Sequence, residues 1–87
     1  MPMNQKSLPN LSQLASTIVI GGLYEHYKKM QYRVIAIARH SESLEELVVY
    51  QALYGDNGVW VRPLAMFVEN IPIDGQLQPR FRFLAQS

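Results

Sequence analysis

Residues 31–63 read QYRVIAIARHSESLEELVVYQALYGDNGVWVRP, and the alternation in this stretch decides the fold. From 31 to 39, Tyr32, Val34, Ala36 and Ala38 fall on one face of an extended chain. Arg33, Ile35, Ile37 and Arg39 fall on the other, because successive side chains of a strand point to opposite sides. Both faces are partly apolar and charges sit near the ends, so this strand is expected to lie centrally in a sheet. The polar, acidic SESLEE at 41–46 interrupts the run, and LVVYQALY at 47–54 makes the next strand. GDNG at 55–58 follows, and its Asn57-Gly58 step tolerates the positive φ of a tight hairpin turn. Residues 59–62 form a further strand, stopped by Pro63, which has no N–H to give a ladder.

The same grammar extends outward. Residues 23–27 read as a strand, with a charged turn at 28–30. PLAMF at 63–67 is too short for a regular helix and suits one 3₁₀-like turn. Residues 68–73 and 79–84 are extended candidates around DGQLQ, where Asp74-Gly75 is a second hairpin signal. Upstream, MPMNQKSLPN has no periodicity and reads as a tail. Asn10 is positioned to cap a short helix with Leu11, Leu14, Ala15 and Ile18 on one face, although the β-branched run at 17–20 prefers an extended path. The expected organisation is an amino-terminal extension over 1–21, flexible or with a short helix, loosely attached to an all-β domain over 22–87. That domain would hold about five or six short strands.

Composition excludes several functions. The chain has 87 residues, enough for one domain. With 48% hydrophobic and 17% charged residues it reads as globular rather than disordered. There is no cysteine, which removes disulfides, thiolate metal sites and cysteine nucleophiles. The net charge is +1, whereas a dedicated nucleic-acid binder carries a basic excess to neutralise phosphates. No apolar run approaches the roughly 20 residues of a membrane span, and the amino terminus makes a poor signal peptide. The expected location is cytoplasmic, with no membrane association.

GLYEHYKK at 22–29, ARHSESLEELVVYQALYGDNGVWVRPLAMF at 38–67 and the closing RFRFL at 80–84 together resemble DUF1653, a bacterial family catalogued as a domain of unknown function. The resemblance runs from about residue 22 to residue 84. It implies a compact domain similar to SH3-type β-barrels, partly open, with no established activity. One departure stands out: the family pattern places a glycine after the lysine of HYK, and this chain has Lys29. The first twenty or so residues fall outside the resemblance.

His40, Ser41 and Glu42 have the residue types of a hydrolytic triad. A triad, however, needs a chain of hydrogen bonds of about 2.6–3.2 Å, and consecutive residues on a strand or turn point apart. Local bonds from Ser41 or Glu42 to backbone amides are the expected role. His26, His40 and Glu42 make a workable zinc or hydrolase set only if they converge, and no spacing enforces that. GDNG lacks the lysine and helix start of a phosphate loop. No metal or cofactor is therefore expected.

The aromatics carry more weight. Tyr24, Tyr27, Tyr32, Tyr50, Tyr54 and Trp60 lie on or beside strands, where most are expected to make core and cross-strand pairs. Those on an outward face would line a groove, and Trp60 shares a strand face with Arg62. Arg39 and Arg62 are candidates for ion pairs with Glu42 or Asp56. The favoured reading is a non-enzymatic interaction module binding a peptide segment of a partner protein. Its groove would comprise Tyr24, His26, Tyr27, Tyr54, Trp60 and Arg62, with His40 and Glu42 at the edge. The alternatives are a nucleic-acid-binding module using Lys28, Lys29, Arg33, Arg80 and Arg82, and a small hydrolase or metal enzyme using His26, His40 and Glu42. Free sheet edges leave a monomer or weak homodimer as the expected state.

Overall fold

The computed structural model describes residues 10–86; the expected tail at 1–9 lies outside the described residues. Seven strands form two antiparallel sheets, so the domain is all-β. β1 (Gly22–His26), β2 (Gln31–Arg39), β3 (Glu46–Ala52), β4 (Val59–Pro63) and β7 (Phe81–Gln86) build a five-stranded sheet in the order β4-β3-β2-β1-β7. β5 (Asn70–Ile73) and β6 (Gln76–Pro79) form a separate hairpin. β4 and β7 do not pair, and the sheet stays open as a partial barrel. The expected strand at 79–84 is divided at Arg80 between β6 and β7. PLAMF forms a single α-helical turn, α1 (Leu64–Phe67), closed by the Val68 N–H on the Leu64 carbonyl at 3.1 Å.

The turns follow local chemistry. Asp74 and Gly75 both adopt positive φ, 51° and 81°, as a two-residue hairpin of the right twist demands. Asn57 lies at φ 58°, a conformation asparagine tolerates. Lys29, where the resemblance implied a glycine, takes φ 78°. The turn is closed by the Lys29 N–H on the His26 carbonyl at 2.7 Å, at the steric cost of a side chain in the left-handed region.

The face assignment of β2 needs correction. Register jumps between Val34 and Ala36, so that Val34 faces Tyr50, Ala36 faces Val49 and Ile37 faces Val48. Ile35 is the extra residue of a bulge, which reverses the alternation. Ile37 therefore joins Tyr32 and Val34 against the core, while Ala36 and Ala38 pass to the outer face.

Val34 and Val48 are fully buried, and the core is otherwise built from Tyr24, Tyr32, Tyr50, Ala52, Leu64, Phe67 and Phe81. Its centre is aromatic. Phe67 stacks on Phe81 with centroids 4.1 Å apart and planes within 7°. Tyr24 meets Phe67 at 5.4 Å and Tyr50 meets Phe81 at 5.4 Å. Such pairs add about 0.5–1.5 kcal/mol each beyond area burial.

The amino-terminal segment is anchored where it is described. A 3₁₀ turn at Ala15–Thr17 buries Ala15 and Ile18 in the core, while Leu11 and Leu14 remain exposed. Ser12, rather than Asn10, caps the turn by accepting the Ala15 N–H at 3.1 Å. Glu46 of β3 accepts the Ser12 N–H at 2.7 Å and its hydroxyl at 2.6 Å. At the entry to β1, where the Gly22 N–H closes a turn on the Val19 carbonyl at 2.9 Å, a Cβ on Gly22 would stand 2.8 Å from that oxygen, so the turn accommodates only a glycine there.

Candidate functional site

The concavity of about 230 Å³ beside β4 is lined by Tyr32, Tyr50, Tyr54, Trp60 and Arg62. Strand register assembles it. Tyr50 faces Trp60 and Val48 faces Arg62 across β3 and β4, which puts Trp60 and Arg62 on the core-facing side of the outermost strand. With no further strand to cover them, Trp60 is 59% exposed and Tyr54 43% exposed. Tyr32 and Tyr50 form the floor, with rings 5.2 Å apart and near perpendicular at 79°.

Arg62 is held in place. Its Nε donates to the Tyr50 hydroxyl at 3.2 Å, and its guanidinium carbon lies 5.5 Å from the centre of the Phe81 ring, within cation–π range. The expected ion pair with Glu42 or Asp56 does not form. Among the described residues Arg62 makes no salt bridge, and none of the five residues lining the pocket is acidic. The Tyr32 and Tyr54 hydroxyls share a hydrogen bond of 2.5 Å. Burial, reinforced by that bond, pushes the Tyr32 hydroxyl up to about 12.

The other expected site residues are dispersed. Tyr24 is 5% exposed and packs in the core, so its ring is not available to a groove. His26 is not among the residues lining the pocket; its ring meets Phe81 edge-on at 4.9 Å, and Tyr27 lies against it at 4.4 Å. The His26 imidazole accepts the Lys28 N–H at 3.2 Å. Its pKa is lowered, first by burial and then by the charges of Arg62, Arg80 and Lys28. The neighbourhood is thus cationic.

His40 and Glu42 sit elsewhere. His26 ends β1 beside the start of β2, and His40 follows the end of β2. The nine residues of β2 separate them by about 30 Å at roughly 3.3 Å per residue. His26, His40 and Glu42 therefore do not converge, and the triad and zinc arrangements fail on geometry. Among the described residues no group of three His, Asp or Glu side chains is placed to hold a metal ion. The His40 turn is structural. Its Nδ1 accepts the Glu42 and Ser43 amides at 3.0 and 3.3 Å, while the Ser41 hydroxyl reaches only the Glu42 carboxylate at 3.3 Å.

The basic residues considered for nucleic acid are partly engaged. Arg80 pairs with Glu69 at 3.0 Å and donates to the Met66 carbonyl, and Arg33 donates to the Gly21 carbonyl at 2.8 Å. Lys28, Lys29 and Arg82 are exposed. Tyr32 and Tyr50 line the pocket although the expected groove does not include them, and Phe81 lies against Arg62 behind it. A signal for the first two existed in their alternation with Val34 and Val48, but Phe81 comes from the far end of the chain.

A larger concavity, about 470 Å³, lies between the amino-terminal segment and the β2 bulge, lined chiefly by Leu11, Ile18, Ile20, Ile35 and Ile37. Among the described residues no helix is long and apolar enough to cross a membrane.

The family model of DUF1653, a protein family of unknown function, matches residues 22–83. The chain belongs to DUF1653. A solved structure agrees with the assignment: the crystal structure of a DUF1653 protein from Bordetella bronchiseptica is 32% identical, with a TM-score of 0.72 over 82% of this chain and 94% of that one. No curated protein matches the chain. In this DUF1653 domain the pocket residues Tyr32, Tyr50, Tyr54, Trp60 and Arg62 all lie inside the matched region, whereas the 3₁₀ turn and Ser12 precede it.

Proposed function

We propose that this DUF1653 domain is a non-enzymatic interaction module that binds a peptide segment of a partner protein at the pocket beside β4. The supporting observation is Arg62, a guanidinium oriented by the Tyr50 hydroxyl and the Phe81 ring, unpaired with any carboxylate among the described residues and walled by exposed Trp60 and Tyr54. Exposed aromatics with arginine are the residue types that dominate protein interfaces. The site offers donors and ring faces but no grouping of nucleophile, base and oxyanion donors.

Trp60 is the chain's one tryptophan, so its fluorescence reports the pocket directly. Titration with degenerate pools of capped octapeptides is expected to change Trp60 emission and shift its indole N–H resonance. No response from any pool at millimolar concentration would overturn the reading. Oligonucleotide binding that weakens steeply with salt would instead favour the nucleic-acid alternative.

A further inference from the structure

We infer that the partner segment docks as an added strand along the free edge of β4 and presents a carboxylate to Arg62. This rests on the pocket being a peptide site.

The edge comes first. β4 is the outermost strand of its sheet, and the phase of its ladder is known. The Ala52 N–H donates to the Gly58 carbonyl at 2.9 Å, and residues 50 and 60 are opposite in the same register. In an antiparallel pair the bonded positions recur every second residue. Trp60 and Arg62 therefore turn their amide groups toward β3, and Val59 and Val61 turn theirs to solvent. Pro63 adds an outward carbonyl and no N–H. Natural sheets guard such edges with lysine, inward charge, proline or a bulge. Inward charge and proline occur only at the end of β4, at Arg62 and Pro63; residues 59–61 carry none of these guards, and Val59, Trp60 and Val61 are 57%, 59% and 58% exposed. The edge is open to strand addition.

Charge selects the occupant. An added strand places alternate side chains on the face that holds Trp60 and Arg62, at the mouth of the pocket. Among the described residues no carboxylate reaches the guanidinium of Arg62, whose Nε alone is bonded, to the Tyr50 hydroxyl. A carboxylate is the group that satisfies a guanidinium fork with two directed bonds. A second copy of this chain does not fit. Val59–Pro63 contains no acid, and pairing two β4 edges brings two Arg62 side chains to one interface.

The test uses the full chain and Trp60 fluorescence, with capped octapeptide pools carrying a central Glu, a central Gln, or a central Glu between N-methylated residues. The Glu pool is expected to bind about tenfold more tightly than the Gln pool, the strength of one charge-assisted pair. Arg62→Gln should abolish that preference. N-methylation should weaken binding, and so should Val61→Pro, which removes an outward N–H without touching the β3 ladder. Unchanged thermal unfolding checks that each variant folds, and the N-methylated pool on the native protein stands in if Val61→Pro does not. Equal binding of Glu and Gln pools would overturn the carboxylate. Indifference to N-methylation would overturn strand addition, in each case with the pocket reading intact. Silence from every pool overturns both. A concentration-dependent dimer whose β4 edge peptide cannot displace would assign the edge to a second copy and overturn the inference.

Discussion

The groove beside the amino-terminal segment holds about 470 Å³ and the pocket beside β4 about 230 Å³, yet the smaller one holds the exposed aromatic and guanidinium groups. In the groove the polar groups already have partners. The Ser12 hydroxyl bonds Glu46 and caps the 3₁₀ turn, and the Ser16 hydroxyl donates to the Gln13 carbonyl. What remains is aliphatic surface. In the pocket, Arg62 has no acidic partner among the described residues, and its position is set by a hydroxyl and a ring. Volume alone offers a ligand non-directional contact, whereas an oriented, unsatisfied donor selects among ligands.

The sharpest way to break this contrast is at Phe81, whose ring lies against the Arg62 guanidinium and stacks on Phe67 in the core. Phe81→Ala is expected to cost about 3–5 kcal/mol, read by urea denaturation; a loss below 1 kcal/mol would remove the aromatic stack as the centre of the fold. In the groove, Ile18→Ala should cost about 2–3 kcal/mol and leave the Trp60 response to peptides unchanged. A change in that response would show that the two cavities are coupled. Lys29→Gly touches neither cavity and should stabilise by about 1 kcal/mol, because glycine takes the left-handed conformation at Lys29 without steric cost. A destabilised variant would mean that the Lys29 side chain makes compensating contacts.

Two pH effects distinguish the regions further. In the pocket, Tyr32 keeps its proton up to about 12 when folded, against an ordinary tyrosine value of 10.0. Above pH 10 the folded state binds more protons than the unfolded state, so stability must fall as pH rises from 10 toward 12. Tyr32→Phe should flatten that limb, measured by thermal unfolding at a series of alkaline pH values. At the groove, the Ser12 hydroxyl and then the Ser12 N–H hold the Glu46 pKa below its usual value. That contribution is complete above 4.5 and disappears as pH falls through the lower folded value. The expected consequence, the smallest of the set, is weaker protection of the Ile18 and Val19 amides from exchange in acid, relative to their intrinsic rates. Ser12→Ala should produce the same loss of protection at neutral pH.

How much of this was legible depended on the range of the interaction involved. Asp74-Gly75 and Asn57 announced their turns because positive φ is a property of the residue itself. The strands at 31–39, 47–54 and 59–62 were readable from apolar alternation and from the stop at Pro63. The site was legible only in part. Trp60 and Arg62 were paired correctly by alternation along one strand, and Tyr54 was named with them. Tyr24 has the same residue type as Tyr54, but β7 and α1 cover it with Phe83 and Phe67, and no local signal announces that cover.

By itself, then, the sequence determined the presence of the first four strands, the hairpin chemistry, the all-β class and the exclusion of cysteine chemistry, since each follows from backbone preferences or composition. Tertiary structure decided which faces are inside. The bulge at Ile35 reversed the inward side of β2, the open sheet left β4 without a neighbour, and Phe81 came under Arg62 from the far end of the chain. Those outcomes depend on register between distant segments, and a shift of one residue exchanges every inward and outward side chain.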